Sequence, residues 1–175
     1  MKVQIKKIVT LFIFAVFVLI QGISFATSAL DETEKNKEIN DMVQEVATLS
    51  KEEKETLNAI NEYRRENGLS DLKAISKLQD VAKIKAEDIV ENEYFSHNSE
   101  NLGTPFEMLK DNGVRYKVAG ENLAGSTTPE KAVNAWIDSP SHRDNILDED
   151  YEYTGIYVID SPVYGKIFVQ IFLGV

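Results

Sequence analysis

The chain has no cysteine among its 175 residues. That excludes disulfides, thiolate zinc sites, a cysteine nucleophile and lipid attachment at an N-terminal cysteine. Stability has to come from packing, and a body of about 120 residues is large enough to bury a core. Histidine is nearly absent too: His97 and His142 are the only two, so any imidazole chemistry runs through them. Basic residues are outnumbered 19 to 29 by acidic ones. Three of the 19, Lys2, Lys6 and Lys7, lie in the first 29 residues, which hold no acid, and the remainder carries a net charge of −13. No basic cluster interrupts that charge, which argues against nucleic acid as a partner and, on average, against anionic lipid and wall polyanions. The longest apolar run, Ile8 to Ile23, falls short of the about 20 residues that span a bilayer. There are no internal repeats.

What is present begins with an export pattern. The three lysines precede the uncharged apolar stretch Ile8 to Ile20, and small residues follow in Ser24-Phe25-Ala26 and Thr27-Ser28-Ala29. Residues 1–29 are therefore expected to be a signal peptide, cleaved after Ala26 or Ala29, leaving a secreted body with no membrane span. Residues 30–54 read as a charged linker. Ile39, Met42, Val46 and Leu49 recur there at a spacing that could form a short amphipathic helix.

Residues 55–175 read as one globular domain. Leu57, Ile60, Tyr63 and Arg64 share a helical face that stops at Asn67-Gly68. Leu78, Val81, Ala82, Ala86, Ile89 and Val90 give a second helix ending near Asn92. Thr104-Pro105-Phe106-Glu107 has the form of a helix start, and Thr127-Thr128-Pro129-Glu130 opens a helix around Trp136. Ser139-Pro140 breaks it, and Ser141 to Leu147 forms another short helix. Tyr116 to Ala124 alternates as a strand, and Tyr153 to Ile159 and Ile167 to Leu173 read as an antiparallel hairpin. The order predicts an α+β fold, with helices covering a small antiparallel sheet. Asn61 and Arg64, three apart on the first helix, are read as structural residues that tie loops through backbone carbonyls.

Four polar residues stand at element boundaries: His97, Glu107, Glu121 and His142. Two imidazoles can hold a zinc-like ion, with carboxylates holding its waters or the ring N–H groups. No His-x-x-x-His pair is present, so spacing alone defines no metal motif. Each residue also has a plain structural role open to it. His97 can cap a helix, Glu107 can be a first-turn acid favoured by the helix dipole, and His142 can simply start a helix. Glu121, inside an apolar strand, must find partners. Ser96 and Ser141 each adjoin a histidine, but sequence neighbours point apart, which counts against serine catalysis.

Five segments occur in one order: Ile60-Asn61-Glu62-Tyr63-Arg64, Phe95-Ser96-His97, Gly120-Glu121-Asn122-Leu123-Ala124, Ala135-Trp136-Ile137-Asp138-Ser139-Pro140-Ser141-His142-Arg143-Asp144-Asn145-Ile146-Leu147, and Phe168-Val169-Gln170-Ile171-Phe172. Together they resemble the CAP superfamily (cysteine-rich secretory proteins, antigen 5 and pathogenesis-related 1) in its cysteine-free bacterial SCP-like branch. The resemblance implies an α-β-α sandwich around a central cleft. It also implies a tetrad of His97, His142, Glu121 and Glu107, with Glu100 a nearby rival for the last place. In such a cleft the two histidines can hold a divalent metal, often zinc. The lack of cysteine removes any expectation of the cysteine-rich module of animal members. Three roles follow as expectations. The domain is a secreted binding module for a glycan, peptidoglycan fragment, lipid or protein. Alternatively it is a metal-dependent hydrolase with Glu121 or Glu107 as base, or a regulatory envelope protein whose tetrad only braces the fold.

Overall fold

The computed structural model describes residues 31–175, and the expected signal peptide lies outside the described residues. Residues 31–44 are helical (α1). The chain divides into two compact units, and the second runs from Asp41 to Val175. Its start lies earlier than the boundary expected at residue 55, for a local reason. Ala47 N–H donates to Ala74 O and Ser76 N–H to Glu45 O, which stitches residues 45–47 to the body. Leu49 is buried, and Ser50 with Glu53 forms a capping box that starts α2 (Lys51–Glu66).

The remaining helices are α3 (Ser76–Glu91), α4 (Pro105–Asp111), α5 (Pro129–Asp138) and α6 (Pro140–Ile146). The strands are β1 (Lys73–Ala74), β2 (Val118–Ser126), β3 (Tyr153–Ser161) and β4 (Gly165–Gly174). Proline stands in the first turn of α4, α5 and α6, where its missing N–H and fixed φ cost nothing. The expected hairpin is β3–β4, and β2 pairs antiparallel with β4. The short β1 was not expected. It pairs in parallel with β3, so the sheet is mixed, in the order β1-β3-β4-β2.

β4 is central and buried on both faces, and its alternation sorts the core. Ile167, Val169, Ile171 and Leu173 pack with α3 and α4 through Leu78, Val81, Ala82, Ile89, Met108 and Leu109. Phe168 and Phe172 pack with α2, α5 and α6 through Ile60, Val133, Trp136 and Ile146. Each such side chain contributes about 1.5–3 kcal/mol on burial. The result is an α-β-α sandwich. On the α3 face the helix backbone nearly touches the sheet: a Cβ at Gly155 would lie 2.1 Å from the Leu78 carbonyl carbon. Asn61 pairs with both backbone groups of Leu72, and the Arg64 guanidinium donates to Ser70, Ile146, Asp148 and Tyr151 carbonyls. These two residues are loop ties, as the sequence indicated.

Candidate functional site

β2 is an edge strand, and the site straddles its free edge. Ala119 and Leu123 belong to the α3–α4 side, whereas Val118 and Ala124 belong to the α5–α6 side. Period-two alternation therefore sends Glu121 to the first face and Asn122 to the second. His97 arrives on the loop after α3, and His142 in the first turn of α6. Histidines from two layers thus meet across one strand.

The geometry is unequal. His97 Nδ1 lies 2.7 Å from Glu121 Oε1, and the Glu121 side chain is only 2% exposed against 51% for His97. A carboxylate at that distance accepts a hydrogen bond from Nδ1–H, which fixes the tautomer and leaves Nε2 open. Glu121 Oε2 is buried and has no hydrogen-bond partner. The two imidazole centroids stand 6.3 Å apart at 45°. Burial, and next the His97 charge, hold the His142 pKa below the ordinary histidine value, so the neutral ring is favoured.

Asn122 is fully buried, with both ends of its amide paired. Its Nδ2 donates to His142 O, its Oδ1 accepts from Asn145 Nδ2, and Asn145 Nδ2 also reaches Glu121 O. Trp136 Nε1 donates to Leu123 O. The outward carbonyls of the edge strand are thus capped by side chains, which blocks pairing with another strand there.

Behind His97 lies a buried network that sequence reasoning missed. The Lys85 ammonium, with no exposure, donates to Tyr94 Oη and His97 O, each at 2.9 Å. Burial lowers its pKa, while Glu121 and Asp88 act in the opposite sense. Tyr94 Oη and Ser99 Oγ both donate to Asp88 Oδ2, and Asn101 reaches Oδ1. Burial alone would raise the Asp88 pKa, but those hydrogen bonds and the Lys85 charge hold it below the ordinary value. A signal did exist: Lys85 stands four residues from both Val81 and Ile89, inside the apolar stripe of α3.

Glu107 has a different employment. It is exposed, its Oε2 accepts from Thr104 N–H at 2.7 Å, and Thr104 Oγ1 accepts in return from Glu107 N–H. That capping box, with the favourable backbone hydrogen bond first among its causes, lowers the Glu107 pKa. The rival Glu100 is also exposed. The structure joins His97, Glu121 and His142, and the Glu107 carboxylate is engaged at the start of α4.

A divalent ion fits this donor set only as a loosely held guest. Nε2 of His97 and a ring nitrogen of His142 supply two donors. Among the described residues no group of three or more His, Asp or Glu side chains is arranged to hold a metal. A tetrahedral ion with Zn–N near 2.1 Å needs centroids about 5 Å apart, so the rings would have to close by about 1 Å.

Comparison with known proteins bears on the whole body. The model of the cysteine-rich secretory protein family (CAP) matches residues 57–172. The Bacillus subtilis (strain 168) protein YkwD is 38% identical over 129 residues, 73% of this chain and 49% of the relative. The chain spans half the length or less of the two Bacillus subtilis relatives it matches. An extracellular protein containing a SCP domain from Bacillus anthracis str. Ames superposes with a TM-score of 0.66 at 28% identity, over 74% of this chain and 45% of that one. An outer surface protein from Borrelia burgdorferi does so with 0.67 at 26%, over 73% and 96%. Among the described residues no helix is long and apolar enough to cross a membrane.

Proposed function

The chain belongs to the cysteine-rich secretory protein (CAP) family, and on that footing we propose that it is an exported binding or regulatory module acting outside the cell or at the envelope. Its cleft at the free edge of β2 is the ligand site. One observation carries the reading: Glu121 is buried, one oxygen bonded to His97 and the other without a partner. A buried acceptor left unmet costs about 1–3 kcal/mol, and a ligand that brings a donor recovers it. The extracellular and outer-surface descriptions of two structural neighbours support the location. So does the expected signal peptide.

A second reading, a metal-dependent hydrolase, is favoured by the His97–Glu121 pair itself. Glu121 orients the ring, Nε2 faces outward, and His142 stays neutral beside it. A divalent ion held by His97 and His142 would supply Lewis-acid activation of water or a carbonyl. Glu121 would keep the His97 Nδ1 proton in place and so turn Nε2 toward the ion. Binding ranks first because catalytic zinc sites ordinarily have three protein ligands, and this cleft offers two.

The test is capture from envelope extract by wild type and by a His97→Ala/His142→Ala variant, with bound material read by mass spectrometry. The binding reading expects a retained compound that the folded variant releases. Identical capture by both proteins sinks it, and turnover of the captured compound that needs added metal transfers the case to the hydrolase.

A further inference from the structure

Five large apolar side chains are exposed among the described residues: Val46, Phe95, Phe106, Val163 and Tyr164. Scattered, they would need no explanation, but three of them gather beside the cleft. The Phe95 and Tyr164 rings stand 5.1 Å apart at 43°, 42% and 40% exposed, with Val163 next in the chain. The shelf is rigidly built. Lys85 bonds Tyr94 Oη and His97 O, on either side of Phe95, and so pins the loop that presents it. Ser161 Oγ accepts from the Val163 and Tyr164 N–H groups. Tyr164 lies over Gly125 of β2, where a Cβ would come within 3.0 Å of its ring and Cβ. An exposed aromatic pair held this firmly adds little to folding and is preorganised for contact.

Gly125 lies four residues beyond Glu121, about 13 Å along the strand. This face of β2 thus runs from a polar end to an aromatic end. The polar end holds the unpartnered Glu121 Oε2, which asks for a hydroxyl or amide N–H donor. The Lys85 ammonium already offsets the Glu121 charge, so a cation is not required. A chain charge of −10 disfavours an acidic ligand. Aromatic faces accept the C–H face of a saturated ring. We propose that this cleft binds a neutral N-acylated sugar chain, with ring faces on Phe95 and Tyr164 and a hydroxyl or amide N–H donating to Glu121. The assignment rests on the binding reading above and names its ligand class.

The probe is tri-N-acetylchitotriose, titrated into the isotope-labelled protein and followed by amide NMR. Saturable shifts are expected at Phe95 to His97, Gly125 and Tyr164. Phe95→Ala combined with Tyr164→Ala should weaken binding about tenfold or more, and Phe95→Leu, which keeps bulk but no ring face, should lose as much as Phe95→Ala. Phe106→Ala, an exposed ring elsewhere, should bind as wild type, and all variants should melt as wild type does. The absence of saturable shifts, or binding that ignores both aromatic substitutions, overturns the sugar assignment. If envelope capture still depends on His97 and His142 in that case, the cleft stands and only the ligand class falls. If capture ignores them too, both fall.

Discussion

Glu121 and Asn122 are adjacent in one strand, both buried, and opposite in condition. Asn122 faces the α5–α6 layer with both ends of its amide paired. Glu121 faces the α3 layer with one oxygen paired and one bare. A closed polar network braces a fold, and an open one keeps an interaction in reserve. The difference separates the two purposes that a buried His and Glu cluster can serve. The bracing role envisaged for the whole tetrad is filled by Asn122 and Asn145, and the proposed binding role rests on His97 and Glu121.

The strongest way to break the comparison is Asn122→Ala. It takes the Asn122 partner away from Asn145 Nδ2 and from His142 O and opens a void beneath α6, so a loss of about 2–4 kcal/mol is expected. Urea denaturation measures it. A loss under half of that range would place the brace elsewhere. Glu121→Gln tests the other face. The amide keeps an acceptor for His97 Nδ1 and the shape of the side chain, so stability should move by about 1 kcal/mol or less, while envelope capture drops to the level of the double histidine variant. A comparable loss of stability from both substitutions would erase the distinction.

Zinc titration by calorimetry sharpens the account of the two rings. Two imidazole donors predict weak binding at neutral pH, loss of binding in His142→Ala, and further weakening at pH 5 as the nitrogens take protons. Tight binding that ignores pH would show that donors other than imidazole hold the ion. His142 alone gives a gentler effect in the metal-free protein. Its native pKa lies below the ordinary value of about 6.5. The unfolded chain therefore takes up a proton that the folded one refuses. The His142 contribution is complete above that pH and fades as pH falls from there towards the lower native pKa. The ring-proton titration of His142 should show a depressed midpoint, and His142→Gln should flatten the stability profile just below pH 6.5.

Legibility in the sequence followed the physics of each residue. Helix starts at Thr104-Pro105 and Thr128-Pro129, the stop at Asn67-Gly68 and the β3–β4 hairpin depend on local geometry, and local sequence carries them. Arg64 and Asn61 were readable as loop ties, because a polar residue on an apolar helical face must find backbone partners. The same rule holds for the buried Lys85 and Asp88 on α3, but their partners Tyr94, Ser99 and Asn101 come from the following loop, whose path the helical period does not carry. β1 was out of reach, since its two residues gain meaning only from a distant parallel partner, β3. The meeting of His97, Glu121 and His142 was not derivable from spacing either. Forty-four residues separate the first and last, and only the edge position of β2 brings two layers together there.

Glu107 supplies the smallest expected effect and the cleanest control on this division. Sequence resemblance grouped it with the cleft residues, and local chemistry made it a first-turn acid. In the structure its carboxylate closes a capping box with Thr104 and lies open to water. Removing it by Glu107→Ala should free one N–H at the start of α4 and lower the melting temperature slightly, since solvent replaces most of an exposed bond. Gly103 bears on the same point: a Cβ there would sit 2.5 Å from Glu107 Oε2, so the turn before α4 is shaped to admit this carboxylate. Envelope capture and zinc binding should both match wild type in Glu107→Ala. If either falls while the melting temperature barely moves, Glu107 reaches the ligand, and the cleft extends past β2 to the start of α4.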